Sequence, residues 1–320
     1  MQLKQLQEAI PAAASRISPV VVATPVSESL ALSELTGCQV FLKLEHLQHT
    51  GSFKLRGATN KILALDDKAR NAGVVAASTG NHGLGVSYAA ARSNVQARIY
   101  LPHGVSEAKV RMIRGFGAEV VLHGDDCLEA ELKARSDADE TGKTFVSPYN
   151  DEEVIAGQGT VALELMQQVA DLDAVFVSVG GGGLIAGIGA HIKSVSQKTR
   201  VYGCWPENSR VMLECLRVGQ IVPVREEYTI SESTAGGLEP GSITFDLCCS
   251  VIDEAALAEE EEIAAAMKLL AVEERWITEG AAGLALAGLI NAAPDLKGKR
   301  VAVVLCGRNI AWEKFQSIIN

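Results

Sequence analysis

Four short stretches gather residue types that could do chemistry: Gly51-Ser52-Phe53-Lys54, Ser78-Thr79-Gly80-Asn81-His82, Gly180-Gly181-Gly182-Gly183 and Cys306-Gly307-Arg308-Asn309. The four glycines follow the apolar run Ala174 to Val179 and precede a helical pattern. Unobstructed N–H groups and the positive end of a helix dipole would meet there and suit a phosphate. Close helix-to-strand packing is the plainer reading, but packing rarely needs four glycines in succession. Gly181-x-Gly183-x-x-Ala186 also fits a dinucleotide fingerprint, and Glu207 falls where a ribose-binding acid would stand, so a nicotinamide oxidoreductase stays open. No Lys-Ser/Thr pair follows the glycines, which excludes a P-loop.

Lys54 stands near a helix start, where the dipole opposes its charge, lowers its pKa and favours an amine able to form an imine. A lone lysine is more often a solvated surface residue. Its neighbours argue otherwise: Gly51 permits close backbone approach, Ser52 offers a hydroxyl and Phe53 an aromatic face. Ser78 to His82 brings small residues, hydroxyls and N–H donors to a helix mouth, which suits a carboxylate, and the Asn81 amide could donate to a ring oxygen. A simple N-cap would show the same letters.

The elements that must position these stretches alternate between strand and helix patterns, as in an α/β fold of two doubly wound lobes with mainly parallel sheets. Strands are expected at 40–44, 73–77, 95–101, 118–122, 144–147, 174–179, 200–205 and 300–305. A loop turning into a helix is expected at 51–65, and helices at 82–91, 107–116, 125–140, 157–170, 184–195, 211–218, 259–274 and 280–290, with a last short one after Asn309. The stretch 223–244, with Gly236, Gly237, Pro240 and Gly241, should be largely irregular, and long loops of this kind often line sites. In parallel sheets ligands lie beyond the carboxyl ends of the strands, which is where the four stretches fall.

Composition narrows the partner. A net charge of −10 on 320 residues gives no basic surface for nucleic acid or anionic lipid, so the expected partner is a small molecule. No signal peptide or membrane-length apolar segment is read, and a cytoplasmic location is expected. Seven scattered cysteines without metal-ligand spacing suggest reduced thiols, mostly buried. An acidic two-lobed protein of this apolar content is expected to form a homodimer.

Taken together, Gly51-Ser52-Phe53-Lys54-Leu55-Arg56-Gly57-Ala58, Ser78-Thr79-Gly80-Asn81-His82-Gly83, the glycine tetrad and Cys306-Gly307-Arg308-Asn309 resemble the fold type II pyridoxal-phosphate enzymes, specifically the serine/threonine dehydratase and serine racemase group. Thr24-Pro25 and Leu42-Lys43-Leu44-Glu45 also fit, and the likeness spans the chain in order. It implies a tryptophan synthase beta-like fold, with 1–48 and 147–320 as a large cofactor-binding domain and 49–146 as a small mobile one. It implies that Lys54 carries pyridoxal 5′-phosphate as a Schiff base, with Phe53 against the ring and Asn81 on the ring hydroxyl. Gly180, Gly181, Gly182, Gly183 and Leu184 would hold the phosphate, and Cys306 would face the ring nitrogen. Ser78, Thr79, Gly80, Asn81 and His82 would take the substrate carboxylate, with Gly237 and Arg308 also toward substrate and Ser52 and Thr79 beside Lys54 in catalysis.

The implied reaction is α,β-elimination, turning a 3-hydroxy-L-amino acid into a 2-oxo acid and ammonia. A neutral thiol at the ring nitrogen disfavours transamination. Where racemases of the group place a serine as second base this chain has Thr79, which puts racemisation in doubt. Their divalent-cation acids align with Trp205 and Val211, so that metal site is expected to be lost. Glu279 matches the family's acid near the cofactor, and the likeness implies that it helps place a monovalent cation. Arg308 replaces a small residue and either reads an anionic group or pairs with an acid. No regulatory domain is expected after Asn320. The stretches Gly203 to Asn208 and Ser233 to Gly241 resemble a subgroup of hydroxyectoine-utilisation and phenylserine dehydratases, which act on bulkier substrates. A binding module that kept the fold and lost the chemistry is the non-enzyme alternative.

Overall fold

The computed structural model describes residues 1–320. In chain order its strands are β1 (Val26–Ser29), β2 (Gln39–Lys43), β3 (Val74–Ala77), β4 (Ala97–Leu101), β5 (Glu119–Leu122), β6 (Thr144–Phe145), β7 (Ala174–Ser178), β8 (Arg200–Pro206), β9 (Glu254–Ala258) and β10 (Arg300–Val304). They form a six-stranded sheet in the order β1-β2-β10-β7-β8-β9 and a four-stranded sheet in the order β5-β4-β3-β6. Every neighbouring pair is parallel except β1 with β2. Residues of β7 and β10 are almost all buried, as expected of central parallel strands whose two faces are both covered by helices.

Two cores follow from the two sheets. The larger apolar cluster surrounds the six-stranded sheet and includes Phe176, Val303, Leu286 and Ile188. The second lies on the four-stranded sheet and takes in Val74, Ile99 and Val86, together with Leu55, Ala58 and Ile62 from the helix Lys54–Leu63. The other face of the smaller sheet is covered by Ala130, Ala134 and Ala138 of the helix Cys127–Thr141.

Several elements differ from the sequence reading. The helix expected from residue 157 begins at Glu152, because the Asp151 carboxylate accepts from the N–H groups of Glu153 and Val154 and caps it there. The antiparallel edge strand β1, the helices Leu30–Thr36 and Asp67–Ala72, and β9 were not expected. All four are short, and the two helices take their caps from Ser29 and Asp66. The irregular stretch ends at Ser242, where the helix Ile243–Val251 begins.

The helix that starts with Lys54 is rooted by ionic contacts rather than by apolar packing alone. Two residues on, the fully buried Arg56 sends Nε and Nη2 to the two oxygens of Glu45 at 2.8 Å each. Its Nη1 and Nη2 reach the two oxygens of Glu164 at 2.7 Å each. Lys43 Nζ joins at 2.7 Å from Glu164 and 2.7 Å from the Thr24 carbonyl. Two cations and two carboxylates thus balance one another out of water. The planar guanidinium is the group that can fork to both acids at once. Truncating it leaves the fully buried Glu45 carboxylate without its cation and the partly buried Glu164 with Lys43 alone: Arg56→Ala is expected to lower the unfolding free energy by about 3–5 kcal/mol. Denaturant titration checks this, and a loss below about 1 kcal/mol would refute the role given to the fork.

Candidate active site

The segment before Lys54 is zipped onto the segment after β10. Ser52 pairs with Gly307 in an isolated antiparallel bridge, Phe53 N donates to the Cys306 carbonyl at 3.1 Å, and Arg308 N donates to the Gly51 carbonyl at 2.9 Å. Gly51 has φ +77°, and a Cβ there would fall 2.7 Å from Asn309 Oδ1, so both conformation and space call for glycine. This pairing brings residues far apart in sequence to one cavity of about 190 Å³, shared by Phe53, Lys54, Asn81, the glycine tetrad and Cys306. Lys54 Nζ donates to the Pro148 carbonyl at 2.7 Å and lies 5.2 Å from the Phe53 ring centroid. Burial pulls its pKa down to about 8, against the opposing pull of Cys306 and Glu279.

The glycine tetrad forms a cradle between β7 and the helix Gly183–Val195. Gly182 is left-handed, with φ +84°, and a Cβ would stand 2.8 Å from both Cys248 Sγ and Met212 Cε. A Cβ at Gly180 would meet the Thr234 backbone at 2.9 Å, and one at Gly181 would run into the Tyr149 ring. Thr244 Oγ1 fixes the loop by donating to the Gly181 carbonyl at 2.7 Å. The N–H groups of Gly181 to Ile185 donate to no acceptor in the chain, which leaves a ring of donors at a helix N-terminus. Lys54 is the sole basic side chain on the cavity wall, so an anion here is held by N–H groups and the helix dipole.

Beside Lys54 lies a polar cluster centred on Glu279. Its carboxylate accepts from Asn81 Nδ2 at 2.9 and 3.0 Å, from Ser233 Oγ at 3.0 Å and from Asn309 N at 3.1 Å. Asn309 Nδ2 donates in turn to Asn81 Oδ1 at 2.6 Å and to the Thr50 carbonyl at 2.8 Å. Both ends of the Asn81 amide are therefore oriented. Burial raises the Glu279 pKa against these donors and Lys54, and burial pushes the Cys306 thiol well above its ordinary range. Cys306 is a neutral thiol at neutral pH.

A family model described as "Pyridoxal-phosphate dependent enzyme" matches residues 17–307. The chain belongs to the pyridoxal-phosphate dependent enzyme family. It is 42% identical over 316 residues to the L-threonine ammonia-lyase of Thermotoga maritima, spanning 98% of this chain and 78% of that protein. Among solved structures, the processed form of threonine deaminase isoform 2 from Solanum lycopersicum superposes with TM-score 0.95 at 32% identity, covering 99% of this chain and 92% of that one. Maize serine racemase superposes with TM-score 0.91 at 28% identity, over 97% and 95% of the two chains.

The residues present fit the family's cofactor: a reactive amine, a donor-rich cradle made by glycines and a neutral thiol share one cavity. Lys54 would hold its aldehyde, Gly180 to Gly183 and Leu184 its phosphate, with Phe53, Asn81 and Cys306 around its ring. Gly237 also lines the cavity. Ser78, Thr79 and Gly80 stand at the neighbouring loop. There the N–H groups of Asn81, His82 and Gly83 have no acceptor in the chain, and nothing lies within 4 Å of a Cβ at Gly80.

Other site expectations meet a different geometry. The His82 ring is buried and its Nε2 faces the Val146 carbonyl at 2.7 Å, and burial takes its pKa down to about 3, so it braces the segment just after β6 rather than lining the cavity. Ser52 is fully buried behind the cavity wall, its hydroxyl without a partner. Arg308 is exposed and lines no part of the cavity. The Glu279 oxygens are engaged by protein donors, and no group of three or more His, Cys, Asp or Glu gathers to hold a metal. Glu207 pairs with Arg210 outside the cavity, which leaves the nicotinamide reading without its ribose acid.

Tyr149, Pro148, Asn309 and Ser233 were given no role from sequence. Asn309 and Ser233 sit inside quoted motifs, whereas Tyr149, although it follows the strand expected at 144–147, belongs to none. Gly182→Ala is expected to weaken cofactor affinity by about tenfold or more through strain at positive φ. Titrating cofactor into the refolded variant and following fluorescence checks this, and unchanged affinity would refute the cradle.

Proposed function

We propose that this enzyme deaminates a 3-hydroxy-L-amino acid of the serine or threonine type by α,β-elimination, releasing a 2-oxo acid and ammonia. The observation that carries the reading is the meeting of the Lys54 amine, the glycine cradle and the neutral Cys306 thiol in one cavity. The threonine ammonia-lyase and threonine deaminase relatives support it. The cofactor, when bound, supplies the electron sink that acidifies the substrate Cα proton.

The chain's residues supply the rest. The Lys54 amine, released when substrate binds, takes the Cα proton, and its depressed pKa keeps a large share of it neutral near pH 8. The N–H groups of Asn81 to Gly83, with Ser78 and Thr79, hold the substrate carboxylate. Cys306 would face the cofactor's ring nitrogen with a thiol that carries no negative charge, and such a partner would favour prompt loss of the β-hydroxyl over transamination. The hydroxyl leaves with a proton as water, and the released enamine tautomerises and takes up water to give the 2-oxo acid and ammonia.

A larger β substituent, as in phenylserine or a hydroxyectoine-derived amino acid, is supported by one feature. Gly236 and Gly237 line the cavity with no heavy atom within 4 Å of a Cβ at either position.

Lys54→Ala is expected to cut ammonia and 2-oxo acid formation by on the order of 10³-fold or more, and activity near wild type would overturn the proposal. The pH dependence of cofactor uptake gives an independent test. Only the neutral amine attacks an aldehyde, so the uptake rate of the apo-protein should climb as pH rises and level off above about 8. Below that it should fall about tenfold per pH unit. Stopped-flow absorbance reads it, and a plateau reached only near the pKa of free lysine would contradict the cavity chemistry.

A further inference from the structure

One wall of the cavity, Ser233 to Gly237, belongs to the largely irregular stretch between the helix Val211–Val218 and the helix Ile243–Val251. Its inner side is held by Ser233 on Glu279 and by Gly236 N on Glu226 Oε1 at 2.9 Å. The next two residues, Gly237 and Leu238, make no backbone hydrogen bond. The outer end is then fixed at Glu239 by contacts from two directions. Glu239 N donates to Tyr149 Oη at 3.0 Å, and Asn150 Nδ2 donates to Glu239 Oε2 at 3.0 Å. Asn150 Oδ1 also accepts from Ile243 N at 3.0 Å, so one side chain pins the loop twice. From the other direction, Arg135 on the helix Cys127–Thr141 reaches Glu239 Oε1 at 3.0 Å while its guanidinium lies 4.2 Å from the Phe145 ring centroid. That helix packs on the four-stranded sheet, whereas the loop belongs to the six-stranded one.

We propose that Glu239 is a positioning residue: held by Asn150 and Tyr149, it ties the thin Gly236-Gly237 wall through Arg135 to the four-stranded unit and so sets how large a β substituent the cavity accepts. The idea rests on the amino-acid substrate proposed above. The geometry gives it direction. Tyr149, which carries the loop through its hydroxyl, also lies against Gly181 and Gly183, so the same tether spans the cradle and the substrate wall. Glu131 shares Arg135 at 2.7 Å and keeps the guanidinium in place for Glu239.

The test uses charge reversal in the full-length holoenzyme: Arg135→Glu, Glu239→Arg, and the two together. Both sites of change are partly exposed, and circular dichroism confirms folding. In Arg135→Glu, amide hydrogen exchange across residues 235–243 is expected to rise about fivefold, as loss of a partly exposed pair allows. The double variant should return toward wild type. The ratio of kcat/KM for threonine to that for phenylserine should shift in the same variant and recover in the double, which a merely structural defect would not do. Unchanged exchange and an unchanged ratio in folded Arg135→Glu, or no recovery in the double variant, would overturn the proposal. If the wild type deaminates neither amino acid, the substrate reading falls, and the exchange data alone decide on the tether.

Discussion

Everything at the site depends on where one helix begins, and the Arg56 fork decides that. Successive helical residues are rotated by about 100°, so Lys54 and Arg56 point to nearly opposite sides of the same first turn. With Arg56 clamped inward by Glu45 after β2 and by Glu164 on the neighbouring helix, Lys54 is directed into the cavity. Apolar packing of Leu55, Ala58 and Ile62 on the second core would locate the helix but leave its rotation softer. Removing four charges from water is costly, and only their mutual geometry offsets it. The knot is therefore better understood as a device for direction than as a source of stability.

The chemistry of the cavity is set by what it leaves uncharged. Its glycine loop offers free N–H groups and a helix dipole, its Cys306 is a thiol that burial keeps protonated, and its amine is pulled toward neutrality by the same burial. The buried acid close by, Glu279, is spent on orienting Asn81 and on holding the strand-end segment 307–309. That segment needs glycine at 307, because a Cβ would fall 2.6 Å from the carboxylate. One carboxylate thus joins the loop before the helix Asn81–Arg92, the Ser233 loop and the end of β10 into a single frame.

Much of this was legible in the sequence because strand-end glycines and a helix-start lysine carry their chemistry locally. The strands β7 and β10 were visible as short valine-rich apolar runs, and the tetrad announced its cradle by composition alone. What escaped was set by distant contacts. β1 is four residues of mixed polarity that becomes a strand by pairing with β2. His82 stands in the stretch read as a carboxylate site, yet its ring is claimed by the Val146 carbonyl. Tyr149 and Glu239, 90 residues apart in sequence, meet through a hydroxyl and a backbone N–H that no spacing rule encodes. Arg308 was read as one of two alternatives, and the structure leaves it exposed.

The most direct test is to reduce the holoenzyme with borohydride and map the labelled peptide by mass spectrometry. The cofactor should be found, covalently fixed, on Lys54 and on no other lysine. A label on a different side chain, or none on a catalytically active enzyme, would contradict the claim that the fork at Arg56 aims this one amine at the cofactor.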